Sequence, residues 1–208
     1  AFRGGSKLNF KDREKLISYA REFAANFTKS PDCTGLNKLG TSQYVMGQNL
    51  GGALPTYNFK TGVFPGAEEI SGERMHDTVW IKQEGCYACP LRCKMVVEAE
   101  SPRKVDPIYG GPEYETLAAL GSNCGVSDLN AVIKANEICN KMTLDTISTG
   151  MVIAFAMECY ENGILTKQDT GGLELTWGNA DAMLELCEMI AYRKGIGDVL
   201  AEGVKRAA

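Results

Sequence analysis

The sequence has 208 residues, 44% of them apolar and 23% charged, a balance that excludes a disordered chain and allows one or two domains. With 22 basic and 26 acidic residues the net charge is -4, which argues against nucleic acid as a partner. The longest apolar runs, such as Met151–Met157, fall far short of the roughly 20 residues of a membrane span, and no basic, apolar and small-residue leader marks a signal peptide.

The opening AFRGGSKLNF carries no initiator Met and reads as the interior of something longer. Apolar residues at Leu16, Tyr19, Ala20, Phe23, Ala24 and Phe27 predict a helix over 11–28, with Asn9 as its cap. From Ser30 to Gly85 the periodicity collapses into Gly, Pro, Asn and Thr, which predicts an irregular wrap over a scaffold. Met95–Ala99 alternates weakly and reads as a short strand. Pro102, Pro107 and Pro112 then punctuate a loop that ends in GGPEYET. Beyond Thr116 the pattern is helical, with helices near 129–142, 147–162 and 180–194 and a short last one over Gly197–Arg206. Ser127 and Asn179 are the expected N-caps, Gly163 the expected left-handed terminator, and Gly195 the stop of the third helix. The expected fold is mainly α: a multihelical domain with a long irregular N-terminal segment and at most a few short strands.

Eight cysteines are unevenly used. Cys139, Cys159 and Cys187 fall inside helical segments, where a free thiol behaves as a small hydrophobe. Cys86, Cys89 and Cys93 instead crowd into C-x2-C-x3-C, which suits a reducing, cytoplasmic setting with one metal or redox cluster. Such spacing can turn three thiolates toward one site. A [4Fe–4S] cluster would need a fourth Cys from far away. Structural zinc held by the same three and His76 is the rival reading, in which the chain is a zinc-stabilised helical binding module without catalysis. The spacing alone does not decide between them. His76 is the single histidine, so no mechanism needing two can be completed within these residues.

Two acidic motifs carry double readings. In GGPEYET, Glu113 and Glu115 stand at a helix start, where carboxylates complement the helix dipole. One of them held near a reacting group would instead donate or accept a proton. In NKMTLDT, between two helices, Asp145 or Thr146 can cap the second helix, or the loop can contact a polar cofactor.

Taken together, the three-cysteine run, GGPEYETLAALGSNCGV, SDLNAVIKANEICNKMTLDTISTG and IAFAMECYENGILT resemble the aldehyde ferredoxin oxidoreductase family, tungsten- or molybdenum-pterin enzymes of anaerobic prokaryotes. The upstream GTSQYVMGQNLGGALPTYNFKTGVFPGAEEISGE and the downstream WGNADAMLELCEMIAYRKGIGDVLAEGVKRA are similar to it as well. The resemblance implies that residues 1–208 form one helical domain like the middle domain of these enzymes, without the N-terminal pterin-binding and C-terminal domains. It implies that Cys86, Cys89 and Cys93 are ligands of a [4Fe–4S] cluster whose fourth ligand lies in the last domain. Asn140, Thr143, Leu144, Asp145 and Thr146 match the family's D-x-x-G-L-D/C-x loop for tungstopterin or molybdopterin, with Asn140 and Thr143 replacing the usual Asp and Gly. Either Glu113 or Glu115 matches the glutamate near the metal, and Tyr57 stands where many relatives carry Arg. The implied chemistry is oxidation of an aldehyde substrate to a carboxylic acid, with electrons passing through the cluster to ferredoxin. The full-length enzyme is expected to allow a homodimer, and a paralogue acting on an aromatic acyl group is a further reading. The isolated segment is expected to be inactive and to retain neither cofactor.

Overall fold

A computed structural model describes residues 4–5 and 9–208, and it is mainly helical. The first helix, α1 (Arg13–Phe27), is capped by Asp12, whose carboxylate accepts the Lys15 N–H at 2.9 Å, rather than by Asn9. Its apolar face lies open, with none of its residues buried and the rings of Phe23 and Phe27 stacked at 5.5 Å.

The segment expected to be an irregular wrap holds three short helices, α2 (Pro31–Leu39), α3 (Tyr44–Leu50) and α4 (Gly72–Thr78), and two 3₁₀ turns. None exceeds nine residues. An apolar stripe repeats too few times over such lengths to stand out, and α2 even contains Gly35. Pro31 opens α2 where a missing N–H is harmless, and Ser71 caps α4 at the Arg74 N–H. Strand β1 (Trp80–Glu84) and strand β2 (Lys94–Val97) then pair antiparallel, and they form the one sheet among the described residues. The strand expected at Met95–Ala99 is therefore present one residue earlier and ends sooner.

Next comes α5 (Tyr114–Thr116), which runs into a π-helical turn over Leu117–Gly121. The long helices are α6 (Leu129–Met142), α7 (Thr146–Glu161) and α8 (Ala180–Tyr192). Asp128, not Ser127, caps α6, and Asn179 caps α8 as expected. Each long helix closes through a left-handed residue followed by an N–H that reaches back to the carbonyl five residues earlier: Leu144 to Cys139, Ile164 to Cys159 and Lys194 to Met189. Gly163 serves in α7, but Thr143 and Arg193 serve in α6 and α8, so α8 stops before Gly195. The single last helix divides into α9 (Ile196–Leu200) and α10 (Val204–Ala207), because Gly203 takes φ +79° between them.

Helix α7 is apolar nearly all round and runs through the core, burying Val152, Ile153, Ala154, Ala156 and Met157. Gly150 allows this: a Cβ there would lie 2.5 Å from the Ala119 backbone in the π turn. Cys124, Cys139 and Cys187 are fully buried in the same core. Tyr57, Asn58 and Phe59 form a left-handed turn whose amides donate to Ser122 O, Asn123 O and the Asn123 side chain. The Tyr57 ring packs edge-on against Trp177 and Phe64.

Candidate active site

A cleft of about 440 Å³ opens where β2, the loop before α5, α6 and the start of α7 meet. The loop is tied on both sides. Gly111 N–H donates to Met95 O at 2.8 Å, and a Cβ at Gly111 would come within 2.9 Å of that oxygen. Asn136 and Asn140, one turn apart on α6, donate to Gly110 O and Tyr109 O at 3.4 and 3.0 Å. Across the floor the hydroxyls of Thr116 and Thr146 hydrogen-bond at 2.8 Å.

Glu113 lines this cleft half-buried, whereas Glu115 is exposed and does not. The two carboxylates thus differ in their surroundings. The backbone carbonyl of Glu113 starts α5 by accepting the Thr116 and Leu117 N–H groups. Its side chain makes no cap, and accepts instead from the Thr41 hydroxyl, which itself accepts the Tyr114 N–H at 2.9 Å.

The cysteine run forms the connection between β1 and β2. Glu84 and Lys94, cross-strand partners at the base of that connection, both line the cleft. Cys89 N–H closes a turn on Cys86 O at 3.0 Å, and Ala88 and Arg92 take left-handed φ values of +57° and +52°. Asn37 of α2 donates to Leu91 O at 2.7 Å while accepting from Gln83, so α2 buttresses the loop. Cys86 is exposed, Cys89 and Cys93 are half-buried, and the other five thiols are buried. Burial, and then the charge of Glu113, hold the Cys93 thiol above its ordinary pKa. His76 does not join them: it stacks on Trp80 and hydrogen-bonds Asp77, separated by the length of β1, about 13 Å of strand. The zinc reading with His76 therefore lacks its fourth ligand.

Among the described residues no three His, Cys, Asp or Glu side chains form a closed metal site. The donor chemistry still fits an iron–sulfur cluster, since three free thiols share the one short loop between β1 and β2. Of the loop expected to bind pterin, Asn140 and Thr146 line the cleft, Leu144 packs on the core, and Thr143 and Asp145 are exposed outside it. Asp145 caps α7 by accepting the Ser148 N–H at 2.7 Å, and the contacts to Ser148 hold its pKa below the ordinary value. Sequence reasoning missed Thr41, Lys94 and Asn136. The i, i+4 spacing of Asn136 and Asn140 was the one readable signal, because it puts both amides on one helix face.

The helical scaffold thus sets a three-thiol loop beside a carboxylate-bearing cleft. Comparison gives it a family. Residues 18–208 match the family model described as aldehyde ferredoxin oxidoreductase, domains 2 & 3, and the chain belongs to that family. It is 41% identical to the tungsten-containing aldehyde ferredoxin oxidoreductase of Thermococcus kodakarensis, over 100% of this chain and 34% of that protein. Its identity to the enzyme of the same name from Pyrococcus furiosus is 39%, again over 100% and 34%. The aliphatic sulfonate oxidoreductase WOR-like subunit of P. furiosus is 32% identical over 95% of the chain and 31% of its own length. The fold also matches a solved structure, the active site complex BamBC of benzoyl coenzyme A reductase with 1,5-dienoyl-CoA, at a TM-score of 0.69. That match covers 94% of this chain and 30% of the other at 21% identity. No helix among the described residues is long and apolar enough to cross a membrane.

Proposed function

We propose that the chain is the middle, helical domain of a cytoplasmic enzyme that oxidises aldehydes to carboxylic acids and passes the electrons to ferredoxin. The reading rests on one observation: Glu113 lines the cleft from whose rim the Cys86–Cys93 loop springs. In it, Cys86, Cys89 and Cys93 are three ligands of a [4Fe–4S] cluster. Asn140 and Thr146, at the two ends of the loop that also holds Thr143, Leu144 and Asp145, would hold a tungstopterin that the neighbouring domains of the same protein complete. When bound, that cofactor supplies the two-electron redox chemistry, and this chain positions it. The net reaction converts aldehyde and water to carboxylic acid, two electrons and two protons. Glu113 takes up one of those protons at Oε1, since Oε2 already accepts from Thr41. Its half-buried place in the cleft thins the water around that carboxylate, and the Thr41 hydroxyl aims it.

The test is Glu113→Gln in the full-length enzyme. Turnover is expected to fall by about 10²-fold or more while tungsten and iron contents stay normal. Parental turnover in that variant removes Glu113 from the reaction.

A further inference from the structure

We propose that Thr41 is the positioning residue for Glu113, holding one carboxylate oxygen so that the other faces the cleft. The proposal deepens the function given above and rests on Glu113 being its proton-handling group. Thr41 comes from the turn between α2 and α3, 72 residues earlier in the chain.

A threonine hydroxyl has one proton to give and two lone pairs to receive with. Here the Tyr114 N–H occupies a lone pair at 2.9 Å, which leaves the hydroxyl proton for Glu113 Oε2. The two bonds therefore run in one direction, from backbone amide to hydroxyl to carboxylate. This arrangement also explains why Glu113 is free. The first N–H groups of a helix need an acceptor, and the residue at the N-cap ordinarily supplies it. Thr41 takes the Tyr114 N–H from outside the helix, and the Glu113 carbonyl takes the Thr116 N–H that an N-cap side chain would ordinarily accept, so the Glu113 carboxylate need not fold back onto its own backbone.

The turn carrying Thr41 is held from both sides. Gly40 adopts φ +61°, and a Cβ there would stand 2.5 Å from the Cys93 carbonyl oxygen, so the turn lies directly on the backbone of the cysteine loop. On the other flank Ser42 is buried, donating to Leu39 O and contacting Met95 Sδ at 3.5 Å. Gly72 packs against the same serine, with a would-be Cβ 2.5 Å from its hydroxyl. One segment thus keys the cysteine loop to the carboxylate, and the Thr41 hydroxyl is its contact with Glu113.

Four variants of the full-length, cofactor-loaded enzyme test this: Thr41→Val, Thr41→Ser, Glu113→Gln and the Thr41→Val/Glu113→Gln double. Valine keeps the shape and deletes the hydroxyl. It is expected to lower kcat roughly 10- to 100-fold with KM and metal contents unchanged. It is also expected to speed hydrogen exchange at the Tyr114 amide. Serine is expected to restore most of kcat, and the double variant to be no slower than Glu113→Gln alone. Thr41→Ala serves as the hydroxyl deletion if the valine protein misfolds. Parental kcat on deleting the hydroxyl, or a deficit that adds in full to that of Glu113→Gln, overturns the role of Thr41 while leaving Glu113 in place. Parental turnover in Glu113→Gln overturns both, and so is told apart.

Discussion

Thr143 sits at φ +60°, ψ +36° at the C-terminus of α6, a conformation that crowds any Cβ and suits a β-branched residue worst. The left-handed region costs an L-residue about 1–2 kcal/mol. Thr143 is exposed, so no buried contact repays that strain. Replacing it with Gly removes the strain but adds freedom to the unfolded chain, worth about 0.4–1 kcal/mol in the opposite sense. The net expectation is a gain of about 0.5–1 kcal/mol. For a domain of this size that corresponds to a rise in Tm of about 1–4 °C. Urea melts of the parent and Thr143→Gly measure it, with a higher midpoint and an unchanged slope. Arg193→Gly relieves a similar backbone in α8 but also cuts ion pairs to Asp198 and Glu202, so a smaller gain is expected there. A Thr143→Gly protein with an equal or lower midpoint refutes the reasoning, because the left-handed cap would then be unstrained.

Gly40→Ala puts a Cβ into the Cys93 carbonyl, and is expected to destabilise by about 1–3 kcal/mol and to reduce the iron held by the full-length protein after anaerobic reconstitution. Glu115→Gln is expected to keep parental turnover, because Glu115 lies outside the cleft, and steady-state kinetics check it. Asp145→Ala is expected to cost about 1 kcal/mol through the lost α7 cap. Because folding lowers the Asp145 pKa, its contribution is complete above the ordinary 3.8 and is lost as pH falls through the lower folded value. Asp145→Asn keeps the acceptor and removes the titration, so acid melts of that variant should fall less steeply below pH 3.8 than those of the parent.

Helices α6 and α8 were legible because 13 or more residues repeat an apolar stripe often enough to see it, and α7 because its apolar stretch is too long for a strand. Their ends were less so. At Ser127-Asp128 two good caps stand side by side, and only the chain direction set by packing selects Asp128. At Thr143 and Arg193 the left-handed terminator is not glycine, which is why α8 was expected to run on to Gly195. That the three cysteines share one short loop was legible from spacing, since a C-x2-C turn is local. Glu113 and Glu115 were not separable, because two carboxylates at the start of a three-residue helix look alike until tertiary contacts bury one of them. Nothing local marks the pairing of Thr41 with Glu113, since it joins segments that meet only once α2, β2 and α5 have packed.

The bare face of α1 has a kinetic consequence. None of its 15 residues is buried, so their hydrogen bonds open without any rearrangement of the core. A lone helix of that length is marginal in water, and it nucleates and unwinds within about a microsecond. Its amides should therefore exchange within seconds at neutral pH, while those of α7 wait for global unfolding. A protease should reach Arg13, Lys15 and Arg21 before any bond of the core. Two clocks thus run in one chain, and anything that covers Leu16, Tyr19, Phe23 and Phe27 would register first as a slowing of the fast one.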